Sequence, residues 1–142
     1  TIERLAAAGI SVGVMVAPII PGVSDEGIAE VLTAARDAGA RWANWVLLRL
    51  PGSVKAVFEE RIRVALPLRA EKILHRIRET RGGKLYDARY GTRGRGEGPY
   101  AEAIEQVFQS CVKRLKFEDA QWPVEASTFQ RPPKIVPQLQ LF

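Results

Sequence analysis

The 142-residue sequence is poor in the side chains that most often build metal and redox sites, with one cysteine and one histidine. A single cysteine excludes an internal disulfide, and no grouping of Cys, His, Asp and Glu has the spacing of metal ligands. The phosphate-cradling GxxxxGK[ST] pattern and the GxSxG nucleophile elbow are also missing. No secretory h-region and no bilayer-length apolar run is present, which predicts a soluble, cytoplasmic protein.

Positive charge is concentrated in one segment. The whole chain has a formal net charge of +5. Residues 76–96 alone contain seven Arg or Lys and two acids, again a formal +5, so the rest of the chain is balanced. Attraction to polyanions is therefore expected to be local to this segment.

The N-terminal third predicts a strand, a loop, a helix and a second strand. An apolar, β-branched run from Val12 to Ile20 ends at Pro21-Gly22, as is typical of a parallel strand covered on both faces. Ser24 is expected to cap a helix that stops at Gly39, and the second strand is predicted from Trp42 to Leu50. The helix has apolar residues at Ile28, Val31, Leu32 and Ala35, which share one face.

Two convincing strands are few for a sheet that must bury both faces. The first residues also fit an amphipathic helix without a cap, with Ile2, Leu5 and Ala8 at helical spacing, and there is no initiating Met. These features predict that the chain is the C-terminal part of a longer protein.

The remainder predicts three helices, a loop and a tail. The first two helices follow Pro51-Gly52 and Pro67, and the third starts at Pro99. Residues 81–98 contain six glycines among Arg and Tyr and are predicted to form a loop. The tail beyond Lys116 is rich in proline and lacks apolar periodicity. The expected inward residues are Val54, Val57, Phe58 and Ile62, then Ala70, Ile73, Leu74 and Ile77, and finally Tyr100, Ile104, Val107, Phe108, Cys111 and Leu115.

Few side chains qualify for chemistry. His75 shares a helix face with charged residues and is expected to be solvated, while Cys111 lies on an apolar stripe and is expected to be buried. The carboxyl ends of the two strands, residues 17–22 and 48–52, are where parallel sheets bind ligands. Proline at both ends is equally compatible with simple strand termination.

The basic, glycine-rich loop favours contact with nucleic acid. Its cations can neutralise phosphates while its tyrosines stack on exposed bases. The alternative is a solvated loop whose arginines pair with acids on a part of the protein outside this chain. The candidate residues are Arg81, Lys84, Tyr86, Arg89, Tyr90, Arg93 and Arg95.

The segments GISVGVMVAPIIPGVSD, WVLLRLP and RGGKLYDARYGTRGRGEGPYAE, in this order, resemble the C-terminal portion of radical SAM proteins of the spore photoproduct lyase-like group. The resemblance implies an α/β fold, the C-terminal part of a partial (β/α)6 barrel followed by helices and a disordered tail. Residues 1–52 would hold the last barrel strands, 53–116 a helical extension with the basic loop, and 117–142 a flexible tail.

The resemblance also implies two cofactors in the parent protein, S-adenosylmethionine and a [4Fe-4S] cluster. Family members hold the cluster with a CxxxCxxC motif, which this chain lacks, so its cluster-binding half is expected upstream or lost. Residues matching positions near the adenosyl group are Ala17, Pro18, Arg49 and Leu50, with much of the contact expected from backbone atoms.

The terminal pentapeptide QLQLF resembles the bacterial sliding-clamp-binding motif. In that motif a glutamine forms hydrogen bonds with the clamp, and apolar side chains fill a pocket of the clamp. Such a motif is a small group of strong contacts at the end of a flexible linker. The residues concerned are Gln138, Leu139, Leu141 and Phe142. A tail that merely ends in apolar residues is the alternative.

Together these resemblances predict a fragment of a radical SAM, lyase-like DNA-repair enzyme that acts on DNA or a nucleotide-containing substrate. The alternative function is a non-enzymatic nucleic-acid or clamp-binding module on a remnant barrel.

Overall fold

The computed structural model describes residues 1–119. This part is a mixed α/β structure with one two-stranded parallel sheet. The elements in chain order are α1 (Ile2–Ala7), β1 (Gly13–Ile19), α2 (Ile28–Asp37), β2 (Trp42–Leu47), α3 (Val54–Ala65), α4 (Ala70–Glu79), α5 (Thr92–Arg95) and α6 (Pro99–Arg114). The predicted tail and its clamp-binding residues lie outside the described residues.

The N-terminal βαβ prediction is confirmed. Strands β1 and β2 pair in parallel, with Gly13 opposite Trp42 and Val16 opposite Trp45, and α2 connects them. Both strands are shorter than predicted. The register is irregular between Val16 and Ile19, around Pro18, which has no N–H to donate to a ladder.

The predicted helix cap at Ser24 is wrong. Helix α2 begins at Ile28 with Gly27 before it, three residues later than expected of a Ser24 cap. Ser24 Oγ instead accepts a hydrogen bond of 2.8 Å from the backbone N–H of Ile20. The hydroxyl therefore stabilises the turn after β1, because a serine side chain competes for nearby backbone groups.

The hydrophobic core has two parts. The first lies between one face of the sheet and helices α2 and α6, and its centre is Trp45, whose ring lies 5.9 Å from that of Phe108. The second packs under α3 and α4. Its buried members are Leu50, Ile62, Ala70, Ile73, Leu74, Ile77 and Leu85.

Helix α6 begins at Pro99 as predicted, and Cys111 is buried as predicted. Three predicted inward residues are wrong, because Val54, Val57 and Val107 are about half exposed. Helix α4 buries its four expected apolar residues but begins at Ala70, not at Pro67. His75 is exposed, as expected, 3.8 Å from Glu79.

The opposite face of the sheet is open within the described part of the chain. Side chains alternate along a strand, so Met15 and Ala17 on β1 and Asn44 on β2 point away from α2 and α6. All three are exposed, with Met15 at 51%. Among residues 1–119 no helix is long and apolar enough to cross a membrane.

Candidate nucleic-acid interface

The basic loop, residues 81–98, is fastened to the end of β2 by Arg81. The guanidinium donates hydrogen bonds to the carbonyl of Leu48 (2.8 Å) and to that of Thr92 (2.9 Å). Only 2% of Arg81 is exposed, and burial lowers the pKa of its guanidinium. Arg81 is therefore an anchor, which corrects the expectation that it contacts phosphate.

Arg89 closes the loop on itself. Its guanidinium donates to the carboxylates of Asp87 and Glu97 at 2.7–3.1 Å. Hydrogen bonds from Arg89 hold the pKa of the Asp87 carboxyl well below its usual range, and those to Asp87 and Glu97 raise the pKa of Arg89. The alternative interpretation of the loop expects its arginines to pair with acids outside this chain, whereas the acids that bind Arg89 belong to the loop.

Arg95 covers the outer edge of β2. Its Nη2 donates to Asn44 Oδ1 at 2.6 Å, and its guanidinium lies 4.5 Å from the centre of the Trp45 ring. The Arg95 Nη1 atom is buried, so a phosphate cannot reach it without a rearrangement. Asn44 Oδ1 also accepts the backbone N–H of Trp45, so a side chain satisfies this one donor of the strand edge.

Gly96 permits the loop to approach the sheet. Its φ of +82° suits glycine, and a Cβ there would lie 2.7 Å from Leu47 Cδ1 and 2.9 Å from the carbonyl oxygen of Thr80. The backbone N–H of Gly96 bonds the carbonyl of Thr92 at 2.7 Å, which closes α5. Gly96 thus allows the loop to pack closely against β2.

Three of the predicted nucleic-acid residues keep groups available for a ligand. Lys84 is exposed, Tyr90 is 90% exposed, and Arg93 places its guanidinium 5.2 Å from the centre of the Tyr90 ring. Neither cation forms an ion pair or a side-chain hydrogen bond within residues 1–119. Tyr86 is half-buried against the second core, so its ring is less accessible than that of Tyr90.

The strand ends lie beside this loop. Ala17, Pro18 and Arg49 are exposed, whereas Leu50 is 1% exposed and belongs to the second core. Leu50 can therefore offer a ligand only backbone atoms. The positive charge of Arg49 contributes to lowering the pKa of Arg81. Arg81 and Arg49, at the end of β2, therefore form one region of positive charge.

A polar network that sequence patterns do not reveal holds the loop after β1. Asp25 accepts hydrogen bonds from the backbone N–H of Gly22 (2.8 Å) and from the hydroxyl of Tyr100. Arg76 donates to that hydroxyl at 2.9 Å, and Arg69 donates to the carbonyl of Gly22 at 2.8 Å. Burial and the bond to Asp25 raise the pKa of Tyr100 to about 12. Asp25 and Tyr100 are 75 residues apart in the sequence, so no local sequence pattern indicates that they form a hydrogen bond.

The two cofactors implied by the resemblance fit this chain differently. Ala17, Pro18 and Arg49 are exposed, so these three residues are accessible to S-adenosylmethionine. Among residues 1–119 no three His, Cys, Asp or Glu side chains are grouped as metal ligands, and Cys111 is buried in the first core. An iron-sulfur cluster therefore does not fit the described residues.

Comparison of the chain with protein-family models, with curated proteins and with solved structures found no match. The functional interpretation consequently depends on the residues and geometry described above.

Proposed function

We propose that the chain is the C-terminal part of a radical SAM enzyme acting on DNA or a nucleotide-containing substrate, and that its basic loop holds the phosphate backbone. One observation carries the nucleic-acid part of the proposal. Within the described residues Lys84 and Arg93 form no ion pair and no side-chain hydrogen bond, and the Arg93 guanidinium lies over the Tyr90 ring. The other arginines of the loop hold it to the sheet or to itself.

Electrostatics supports phosphate as the ligand of these cations. The arginines that fix the loop already form their hydrogen bonds without a ligand. The loop therefore loses little conformational entropy when phosphate binds. Arg93 offers the fork of donors that suits phosphate, while Lys84 adds a point charge. The partner expected from this chemistry is a polyanion, and the neighbouring exposed tyrosine favours nucleic acid over other polyanions.

The radical SAM part of the proposal rests on the resemblance and on the open sheet. A parallel βαβ unit with one exposed face, and with Ala17, Pro18 and Arg49 exposed near the strand ends, is compatible with the last two strands of a larger α/β barrel. S-adenosylmethionine would lie against the backbone of Ala17 and Pro18 and beside Arg49. When bound, it supplies the 5′-deoxyadenosyl group, while ligands for a cluster would have to come from outside residues 1–119.

Two measurements test this proposal. Affinity for a labelled oligonucleotide, measured on the full chain, should fall at least about tenfold in the double variant Lys84→Ala/Arg93→Ala. The matched control is Arg4→Ala/Lys55→Ala, which removes two exposed cations outside the loop. Equal affinity in both double variants would reject the loop as the nucleic-acid site.

The enzyme part needs the longer protein. Purified anaerobically, it should show iron-sulfur absorbance and should cleave S-adenosylmethionine. Absence of both, together with an upstream reading frame without CxxxCxxC, would reject the enzyme.

The second candidate function is a non-enzymatic nucleic-acid or sliding-clamp-binding module. The observation that favours it is the lack of grouped metal-ligand side chains among residues 1–119. It predicts the same oligonucleotide binding without any turnover of S-adenosylmethionine, so the two measurements together separate the candidates.

A further inference from the structure

We propose that Tyr90 is a stacking platform for an unpaired base, so that the basic loop binds single-stranded DNA in preference to duplex. This inference rests on the proposed function, because it names the form of nucleic acid that the same loop would select. It adds a role for the aromatic ring that phosphate binding alone does not require.

The tip of the loop that presents Tyr90 is ordered by its own hydrogen bonds. Asp87 accepts bonds from the backbone N–H of Arg89 (3.0 Å) and from the hydroxyl of Thr92 (2.8 Å). The backbone N–H of Arg93 bonds the carbonyl of Arg89 at 3.0 Å, across Tyr90 and Gly91. The ring is therefore held out on a fixed turn, since the backbone on both sides of it is tied.

Tyr90 has no packing role that would explain an aromatic residue at this position. It is 90% exposed and belongs to neither of the two cores. Burying an aromatic ring is strongly favourable. A ring that is exposed on an ordered turn can therefore gain this free energy when a ligand covers it.

Arg93 defines which face of the ring is available. Its guanidinium lies over one face at 5.2 Å from the centroid. Because the residue is otherwise exposed, the opposite face is open to solvent. A base can stack on the open face while the phosphate of the same or the adjacent nucleotide approaches the cation, which is the usual arrangement for single strands.

The preference for unpaired DNA follows from the geometry of bases. In a duplex each base has both faces covered by its neighbours, and the ring could reach a face only after unstacking. A single strand exposes its base faces at a much smaller energetic cost. The loop anchor then places such a base near the strand ends, because Arg81 bridges the carbonyls of Thr92 and Leu48.

The test compares single-stranded and duplex oligonucleotides of one sequence on the full chain, using wild type, Tyr90→Ala and Tyr90→Phe. Tyr90→Ala should weaken single-strand binding about 5- to 150-fold. Duplex binding should change less than about twofold. Tyr90→Phe keeps the ring and should bind single strands within about twofold of wild type.

The outcomes separate this inference from the proposed function. If wild type binds both DNA forms with salt-dependent affinity and Tyr90→Ala changes neither, or changes both equally, the stacking inference is overturned and phosphate binding by the loop stands. If wild type binds neither form, the proposed function fails and the inference fails with it.

Discussion

The Arg81 guanidinium donates a 2.8 Å hydrogen bond to the backbone carbonyl of Leu48, at the point where β2 has ended. The same guanidinium holds the carbonyl of Thr92, so a single buried side chain connects the basic loop to the carboxyl end of the sheet. Because a partly buried carbonyl that loses its donor is destabilising, this connection links the stability of the protein to the position of the loop.

Replacing the anchor should destabilise the protein. Arg81→Ala leaves the carbonyl of Leu48 without its side-chain donor and removes one of the two donors to the carbonyl of Thr92, which keeps the backbone N–H of Gly96. We expect a loss of about 1–3 kcal/mol in the free energy of unfolding. Urea denaturation of the full chain measures it. The control is Lys84→Ala, an exposed cation of the same loop, with an expected change within about 0.5 kcal/mol. Equal urea concentrations at the unfolding midpoint for Arg81→Ala and Lys84→Ala would contradict the anchoring role of Arg81.

Two loop glycines allow backbone strain to be separated from close packing. Gly91→Ala and Gly96→Ala both place a side chain at positive φ, +91° and +82° respectively. Only at Gly96 does the new Cβ meet neighbours, at 2.7 Å from Leu47 Cδ1 and 2.9 Å from the carbonyl oxygen of Thr80, whereas nothing lies within 4 Å at Gly91. Thermal or urea unfolding should therefore show Gly96→Ala to be less stable than Gly91→Ala by about 1–3 kcal/mol. Similar stability of the two would mean that the loop is not packed on β2.

The Tyr100 hydroxyl should make stability fall at high pH. Folding raises the pKa of this phenol from 10.0 to about 12, with burial as the main cause and the bond to Asp25 next. As the pH rises, Tyr100 therefore loses its proton in the unfolded chain before it does so in the folded protein. The contribution of the protonated hydroxyl to the free energy of unfolding is complete below pH 10, declines as the pH rises towards 12, and is absent above that.

Tyr100→Phe removes this titration. The difference in unfolding free energy between wild type and Tyr100→Phe, measured by urea denaturation across that pH window, should shrink as the pH rises. A constant difference would contradict the raised pKa of Tyr100, and with it the burial and the bond to Asp25 that cause it.

The terminal pentapeptide predicts binding to a bacterial sliding clamp. Phe142→Ala should abolish that binding, because the motif it resembles depends on apolar side chains that fill a pocket. Gln140→Ala is the matched control, since residue 140 lies within the pentapeptide but is not one of its proposed contacts. Fluorescence anisotropy of the labelled full chain with purified clamp measures both. Retained binding by Phe142→Ala would reject the motif.

Local patterns were sufficient for the βαβ unit and for α6. A β-branched run closed by Pro21-Gly22, an amphipathic helix and Pro99 at a helix start are each decided by neighbouring residues. Patterns failed where only part of an apolar helix face is covered. On α3 the predicted inward residues Val54 and Val57 are about half exposed while Ile62 is buried, and tertiary packing alone decides which of them is covered.

The candidate site was foreseen by composition and not by arrangement. An excess of Arg and Lys in one loop predicted the location, but the partner of each cation depends on folding. Arg81 finds carbonyls 33 and 11 residues away, and Arg95 finds Asn44 at a separation of 51 residues. Within the described residues, Lys84 and Arg93 are left without an ion pair or a side-chain hydrogen bond, and no local pattern distinguishes them from the other cations.

The salt dependence of oligonucleotide binding tests the central claim most directly. For single strands, each phosphate contact contributes about 0.7 to the slope of log affinity against log salt concentration. Arg93→Ala should reduce the slope by about that amount, whereas Arg4→Ala, which removes an exposed cation of α1, should leave it unchanged. An unchanged slope for Arg93→Ala, or an equal reduction in both variants, would contradict the claim that the basic loop holds a nucleic-acid backbone.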